Sequence, residues 1–148
     1  MSDNQKAVNK AIEVSVKFCS YRERSEKEII KKLTDKKFSK EIISSTLRKM
    51  KDLNFVNNLR FAKSFSRGKN RGNRWGKIKI RYELVGKGLN DEEITIGLDS
   101  IDSKMYEESL KKNIEIFRKK NKSDNNNNKL IGHLARKGFE MNLILNYI

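Results

Sequence analysis

The chain has 148 residues, of which 36% are hydrophobic and 36% are charged, and its formal net charge at pH 7 is +15. This length fits one domain or a short array of small units, and the low apolar content favours an extended body with a thin core. The charge predicts attraction to polyanions, although solvated lysines on helix faces give the same composition. The single cysteine excludes an internal disulfide, and no apolar run suits a membrane span or a signal peptide. We therefore expect a cytoplasmic protein without a membrane partner.

The elements predicted in chain order are helices, and the absence of proline from the sequence agrees with this. Residues 5–22 carry apolar side chains at helical spacing and predict the first helix. Ser25 and Glu28 have the spacing of a capping box that begins the next helix. Asn57 is a predicted cap further along, and residues 103–120 form a later helix of the same kind.

One pattern occurs three times, in residues 28–47, 79–98 and 129–148. Each copy predicts two helices, the first ending at a residue in the left-handed conformation, where glycine is favoured. Gly88 and Gly138 occupy this position in two copies, and Lys37 occupies it in the other. The positions that correspond are Ile29, Ile80 and Leu130; Leu33, Leu84 and Leu134; Lys36, Lys87 and Lys137; Phe38, Leu89 and Phe139; Ile43, Ile94 and Ile144; and Leu47, Leu98 and Ile148.

A further helix precedes each copy, so the sequence predicts an all-α fold of three tandem three-helix repeats over residues 1–50, 51–100 and 101–148. Because a unit this small cannot bury its apolar face alone, we expect the repeats to stack into an elongated, curved array. The asparagine-rich segment 121–128 is predicted to be a mobile loop, and the first few residues are predicted to be disordered.

The glycine-containing segment SRGKNRGNRWGKIKIRYELVGKG, residues 66–88, does not match a phosphate-binding loop. Such a loop needs a glycine five places before its Gly-Lys pair and a Ser or Thr after it, and Arg71 and Ile78 stand there. The run IKIRY alternates like a strand, but the repeat places it in a helix with Ile80 and Leu84 facing inward. Ile78 and Trp75 are expected to extend the apolar side.

Catalytic chemistry is not indicated. His133 is the only histidine, and Cys19 lies on a predicted apolar helix face without a base beside it. No spacing of Cys, His or carboxylate residues suggests a metal site. We predict no enzyme activity, no metal and no cofactor.

Charge is unevenly distributed, since residues 60–88 hold ten basic residues and one acidic residue, whereas residues 89–110 hold seven acidic residues and one basic residue. Arginine binds phosphate or carboxylate through two parallel hydrogen bonds. Two alternatives stay open: Trp75 either contacts a partner or closes the core, and Arg60 either contacts a partner or pairs within its repeat. The predicted partner-binding residues are Arg60, Arg67, Lys69, Arg71, Arg74, Trp75, Lys77, Lys79 and Arg81.

Four stretches resemble the RecX family of regulatory proteins. They read FCSYRERSEKEIIKKL from residue 18, LNFVNNLRFAKSFSRGK from residue 53, RWGKIKIRYELVGKGLNDEEI from residue 74 and LARKGFEMNLI from residue 134. The order of the motifs is more specific than any one of them, and the similarity covers almost the whole chain. The form found here is similar to the branch found in Bacteroidetes-like bacteria.

The resemblance implies tandem three-helix repeats and a modulator of the RecA recombinase in DNA repair, recombination and the SOS response. It implies binding in the helical groove of the RecA filament, inhibition of its activities and weak, sequence-indifferent contact with DNA. It implies no catalytic residues, and we expect a monomer. The alternative is a general nucleic-acid-binding protein in which one hairpin acts as a helix-turn-helix, which predicts tight binding to DNA alone.

Overall fold

A computed structural model describes residues 2–122 and 127–148. Within these ranges the chain forms nine α-helices and no β-strand, which confirms the predicted all-α fold. We call α1–α3, α4–α6 and α7–α9 the first, second and third units. The helices are α1 (Asp3–Tyr21), α2 (Glu26–Asp35), α3 (Lys40–Asp52), α4 (Asn58–Gly72), α5 (Lys77–Gly86), α6 (Asp91–Asp99), α7 (Ser103–Lys120), α8 (Asn127–Arg136) and α9 (Met141–Asn146).

Several helices begin at side-chain caps, of which Ser25 with Glu28 and Asn57 are the ones predicted above. The Ser25 hydroxyl accepts a hydrogen bond from the Glu28 amide (3.2 Å), and the Glu28 carboxylate accepts one from the Ser25 amide (3.0 Å), which completes a capping box. Asn90 and Glu93 form a second box at the start of α6. Single side-chain caps begin α3, α4 and α7 at Ser39, Asn57 and Asp102.

The second helix of each unit ends in the same way. Lys37, Gly88 and Gly138 have φ angles of 71°, 85° and 97°, the left-handed conformation that the repeat predicts. The next amide then bonds back to a leucine carbonyl: Phe38 to Leu33 (3.1 Å), Leu89 to Leu84 (3.2 Å) and Phe139 to Leu134 (3.2 Å). The three copies therefore share backbone geometry as well as sequence.

The repeated apolar positions form two cores. The central leucines Leu33, Leu84 and Leu134 are all 0% exposed. One cluster, around Leu33, belongs to the first unit, whereas the residues of the second and third units form a single continuous cluster. Each fully buried leucine contributes about 1.5–3 kcal/mol relative to its exposed state.

The second helices of the three units, α2, α5 and α8, meet end to end. A Cβ added to Gly88, after α5, would lie 2.9 Å from the Lys27 Cβ in the first turn of α2. A Cβ added to Gly138, after α8, would lie 2.4 Å from the Lys79 Cβ in the first turn of α5. The start of α2 thus packs on the end of α5, and the start of α5 packs on the end of α8. The partial charges of the two helix ends attract at each contact.

Several expectations were wrong in detail. Ile78 does not extend the apolar side but points outward, because it lies about 200° around the helix from the buried Ile80. The first residues are not disordered from Ser2 onward, since Ser2 caps a helix that starts at Asp3. Of the predicted loop 121–128, residues 123–126 lie outside the described residues, and Asn127 already begins α8.

Candidate polyanion-binding site

The turn between α4 and α5, residues 73–76, is held against the end of α4. The Trp75 amide donates to the Lys69 carbonyl (3.1 Å), and the Asn70 side-chain amide donates to the Trp75 carbonyl (2.9 Å). Arg74 adopts a positive φ of 56°, which turns the chain between the two helices. Nothing in the sequence predicts that an arginine adopts this conformation, which glycine and asparagine favour.

The Trp75 ring packs against the shared core and stays partly exposed. Its centroid is 6.5 Å from that of Phe65, in an edge-to-face arrangement. The Lys79 ammonium lies 4.6 Å from the Trp75 centroid, and the Lys69 ammonium lies 5.1 Å from it. Two cations are therefore held at one indole ring by cation–π attraction.

Arg74 and Lys137 extend this group of cations. The Nε atom of Arg74 is buried and has no hydrogen-bond partner among the described residues. Lys137 reaches across from the third unit and donates to the Asn73 carbonyl (3.1 Å). Burial, and then the charges of Arg74 and Lys79, hold the pKa of Lys137 below its usual range. We call Lys69, Arg74, Lys79 and Lys137, which surround Trp75, the cationic cluster.

Lys137 is a site residue that the sequence analysis missed. The sequence feature that could have identified it is the lysine that recurs as Lys36, Lys87 and Lys137. The copies in the second and third units both reach the preceding unit, where Lys87 contacts the Glu28 carboxylate (3.3 Å) and Lys137 contacts a carbonyl. A repeated lysine at a unit boundary was therefore a sign of contact between units.

The cationic cluster lacks counter-charges among the residues that the structure describes. None of the salt bridges found in residues 2–122 and 127–148 includes Lys69, Arg74, Lys79 or Lys137. Four neighbouring cations repel one another, and an anionic ligand relieves that repulsion. The arrangement is suited to phosphate or carboxylate groups.

The arginines of α4 form a second group. Arg60, Arg67 and Arg71 recur at intervals of seven and four residues, so they lie on one face of the helix. Arg67 and Arg71 are exposed, but the Arg60 guanidinium is held by the Glu23 carboxylate of the first unit and by the Asn54 carbonyl. Arg60 therefore links the first and second units.

Lys77 and Arg81 lie apart from both groups, on another side of α5. The Lys77 ammonium is 4.9 Å from the centroid of the Tyr106 ring, and its backbone amide donates to the Tyr106 hydroxyl (2.8 Å). Arg81 is exposed. The nine predicted residues are thus divided among three surfaces.

Membrane spans and metal sites are not found in the described ranges. No helix there is long and apolar enough to cross a membrane. No group of three His, Cys, Asp or Glu side chains is placed to hold a metal ion in the same residues. Cys19 is a half-buried free thiol, and burial is the main cause of its raised pKa, although Arg24 opposes the shift.

Comparison with known proteins gives concordant results. Family models described as "RecX, first three-helix domain" and "RecX, second three-helix domain" match residues 11–50 and 57–98. The regulatory protein RecX of Prosthecochloris aestuarii (strain DSM 271 / SK 413) is 34% identical over 145 residues, covering 97% of this chain and 91% of that protein. That of Chlorobium phaeobacteroides (strain BS1) is 32% identical over 142 residues, covering 91% and 89%. The crystal structure of RecX from Lactobacillus salivarius has the same fold, with a TM-score of 0.83, 24% identity and coverage of 96% and 94%.

The fold and the site define a helical-repeat protein that joins three-helix units end to end and carries a cationic cluster where the second and third units meet. The matches over most of the chain identify the family. The chain belongs to the RecX family of regulatory proteins.

Proposed function

We propose that this protein binds the RecA recombinase filament on DNA and inhibits its activities, acting in the cytoplasm as a monomer. Membership of the RecX family supports a role in regulating recombination and repair. The observation that carries the proposal is the cationic cluster around Trp75, whose four cations have no carboxylate partner among the described residues.

In this proposal the cationic cluster contacts DNA phosphates inside the filament, and the exposed Arg67 and Arg71 form a second cationic surface on α4. Contacts to phosphate carry no sequence information, so binding to DNA alone is weak and sequence-indifferent. If the four cations of the cluster each neutralise one phosphate, the log–log dependence of affinity on salt has a slope of about −3 to −4.

The helix-turn-helix alternative is disfavoured by the charges of α6. This helix follows the turn in the second unit, where a base-reading helix would stand. It begins with Asp91, Glu92 and Glu93 and ends with Asp99. A helix with four carboxylates is repelled by phosphate, so the unit with the most basic segment has the least suitable recognition helix.

The test is the ATPase activity of RecA on single-stranded DNA, with this protein added below the recombinase concentration. We expect inhibition, and its absence at every salt concentration that preserves the filament would contradict the proposal. The double variant Arg74→Glu, Lys79→Glu should lose most of the inhibition.

The matched control is the double variant Arg48→Glu, Lys104→Glu. It makes the same change in net charge at exposed positions outside the cationic cluster. It should inhibit like the natural sequence, and circular dichroism should show that both variants are folded. Equal loss of inhibition in the control would mean that total charge, and not the cluster, is responsible.

A further inference from the structure

Helix α5 carries an apolar stripe on the side opposite its buried face. Ile78, Tyr82 and Val85 are 56%, 77% and 57% exposed, whereas Ile80 and Leu84 are fully buried. The stripe residues are spaced by four and three positions, so they align along about 10 Å of the helix. Aligned apolar side chains form a patch, unlike the single exposed residues that occur on most surfaces.

The other units show that folding does not require this stripe. The corresponding residues are Lys27, Lys31 and Thr34 in α2, and Asn128, Gly132 and Ala135 in α8. The same three-helix geometry is thus built twice with polar or small residues on this face. The apolar residues of α5 therefore serve something other than packing within the unit.

The stripe has cationic margins. Lys77 and Arg81 lie along one edge and Lys79 along the other, and none of the three is in a salt bridge within the described part of the chain. Beside Ile78 a cleft continues the apolar surface to Leu98, with Asp99 and Glu140 also on its wall. An apolar centre between positive edges is complementary to an acidic segment with apolar side chains.

We propose that Ile78, Tyr82 and Val85 form a docking face for an acidic amphipathic helix of a protein partner. The length of the stripe matches two turns of such a helix, which would place its apolar residues on the stripe and its carboxylates over Lys77 and Arg81. A nucleic acid fits less well, because Ile78 and Val85 have no aromatic face for bases to stack on. The inference rests on the proposed function for the partner's identity, an acidic helix of a recombinase subunit, while the cationic cluster takes DNA.

The test compares three proteins for binding to RecA filaments, assembled on single-stranded DNA with a slowly hydrolysed ATP analogue, and to the same DNA alone. The stripe variant is Ile78→Ser, Tyr82→Ser, Val85→Ser, in which helix propensity is nearly unchanged. The control is Met105→Ser, Leu145→Ser, which removes apolar side chains exposed elsewhere. We expect the stripe variant to bind filaments at least about tenfold more weakly, the loss typical of a buried anchor residue, and DNA alone within about twofold of the natural sequence. The control should match the natural sequence on both.

The other outcomes are distinct. If the natural sequence does not bind filaments, the proposed function is wrong and the docking face loses its partner. If it binds and the stripe variant binds equally well, or loses DNA and filament binding alike, the docking face alone is wrong. Sedimentation of the natural sequence as a dimer that the stripe variant does not form would assign the stripe to a second copy of the chain and overturn the proposal.

Discussion

The two junctions between units use the same helix ends but different contacts. Where the second unit meets the third, the two backbones are joined by hydrogen bonds. The Gly76 amide donates to the Lys137 carbonyl (2.8 Å), and the Ile78 amide donates to the Gly138 carbonyl (2.9 Å). Where the first unit meets the second, side chains make the contacts. The Lys27 ammonium donates to the Gly86 carbonyl (3.1 Å).

Salt bridges add to the first junction. The Glu28 carboxylate accepts a hydrogen bond from Arg22 (2.6 Å) within its own unit and another from Lys87 (3.3 Å) of the second unit. Burial alone would raise the pKa of Glu28, but the hydrogen bonds from Arg22 and the Ser25 amide outweigh it, so the pKa is lowered. Ion pairs with partly exposed cations contribute little stability, whereas the second junction continues one apolar core across two units.

One position in the repeat accounts for much of this difference. The residue that caps the second helix is Ser25 in the first unit and Gly76 in the second. A Cβ at Gly76 would lie 2.3 Å from the carbonyl carbon of Gly138, so only glycine permits the close backbone approach. The repeat thus makes a polar junction or a tight backbone junction according to whether this residue carries a side chain.

The largest effect is expected from Gly76→Ala. The added methyl group forces the backbones of the second and third units apart, which we expect to lower the free energy of unfolding by about 2–4 kcal/mol. Ser25→Ala at the corresponding position loses only a cap, for about 1 kcal/mol. Urea unfolding followed by circular dichroism measures both values.

The control for this comparison is Gly72→Ala, since a Cβ there meets no described atom within 4 Å apart from its chain neighbours and its own helix backbone. We expect it to be neutral or slightly stabilising. A Gly76→Ala variant as stable as Gly72→Ala would show that the second junction is not closely packed.

Gly76 has no side chain to cap α5, and Tyr106 of the third unit compensates. Its hydroxyl accepts from the Lys77 amide (2.8 Å) and donates to the Glu140 carboxylate. Tyr106→Phe should therefore destabilise the protein by about 1–2 kcal/mol at pH 7, because the amide and the carboxylate lose a partner. The size of this effect relative to Ser25→Ala shows how well the neighbouring unit replaces a local cap.

The same hydroxyl predicts a dependence on pH. Burial, followed by the hydrogen bond to Glu140, raises the pKa of Tyr106 above its ordinary value of 10.0. Because the folded state holds the proton more tightly, this contribution is complete below about pH 10 and is lost as the pH rises above it. The natural sequence should lose its stability advantage over Tyr106→Phe between about pH 10 and 12 in thermal unfolding. An advantage that stays constant across that range would show that the hydroxyl is not buried.

The parts of this structure that sequence predicted are local. The caps at Ser25 and Asn57 and the helix ends at Gly88 and Gly138 depend on residues within one turn, so their spacing was sufficient. The register of Leu33, Leu84 and Leu134 followed from the helical period. These features define the fold almost completely.

The candidate site was less predictable because it depends on contacts between distant segments. Lys137 lies near Lys79 only because the third unit packs on the start of α5. Glu23 contacts Arg60 only because the first unit packs against the second. Ile78 was assigned to the wrong side because its apolar character was taken as a sign of burial, whereas the helical period places it about 200° from Ile80. The density of basic residues in the sequence located the basic segment, but it did not show that these residues lie on three different surfaces.

The smallest effect is expected from Lys37→Gly, at the end of α2. Gly88 and Gly138 need glycine for two reasons, a positive φ and the closeness of a helix of the preceding unit, whereas Lys37 is exposed and meets only the first requirement. Relief of the positive φ stabilises the folded state by about 1 kcal/mol, and the greater freedom of glycine in the unfolded chain offsets most of it. The melting temperature should therefore stay the same or rise slightly, by differential scanning calorimetry. A clear fall would mean that the Lys37 side chain makes a stabilising contact, and the first unit would then end its second helix differently from the other two.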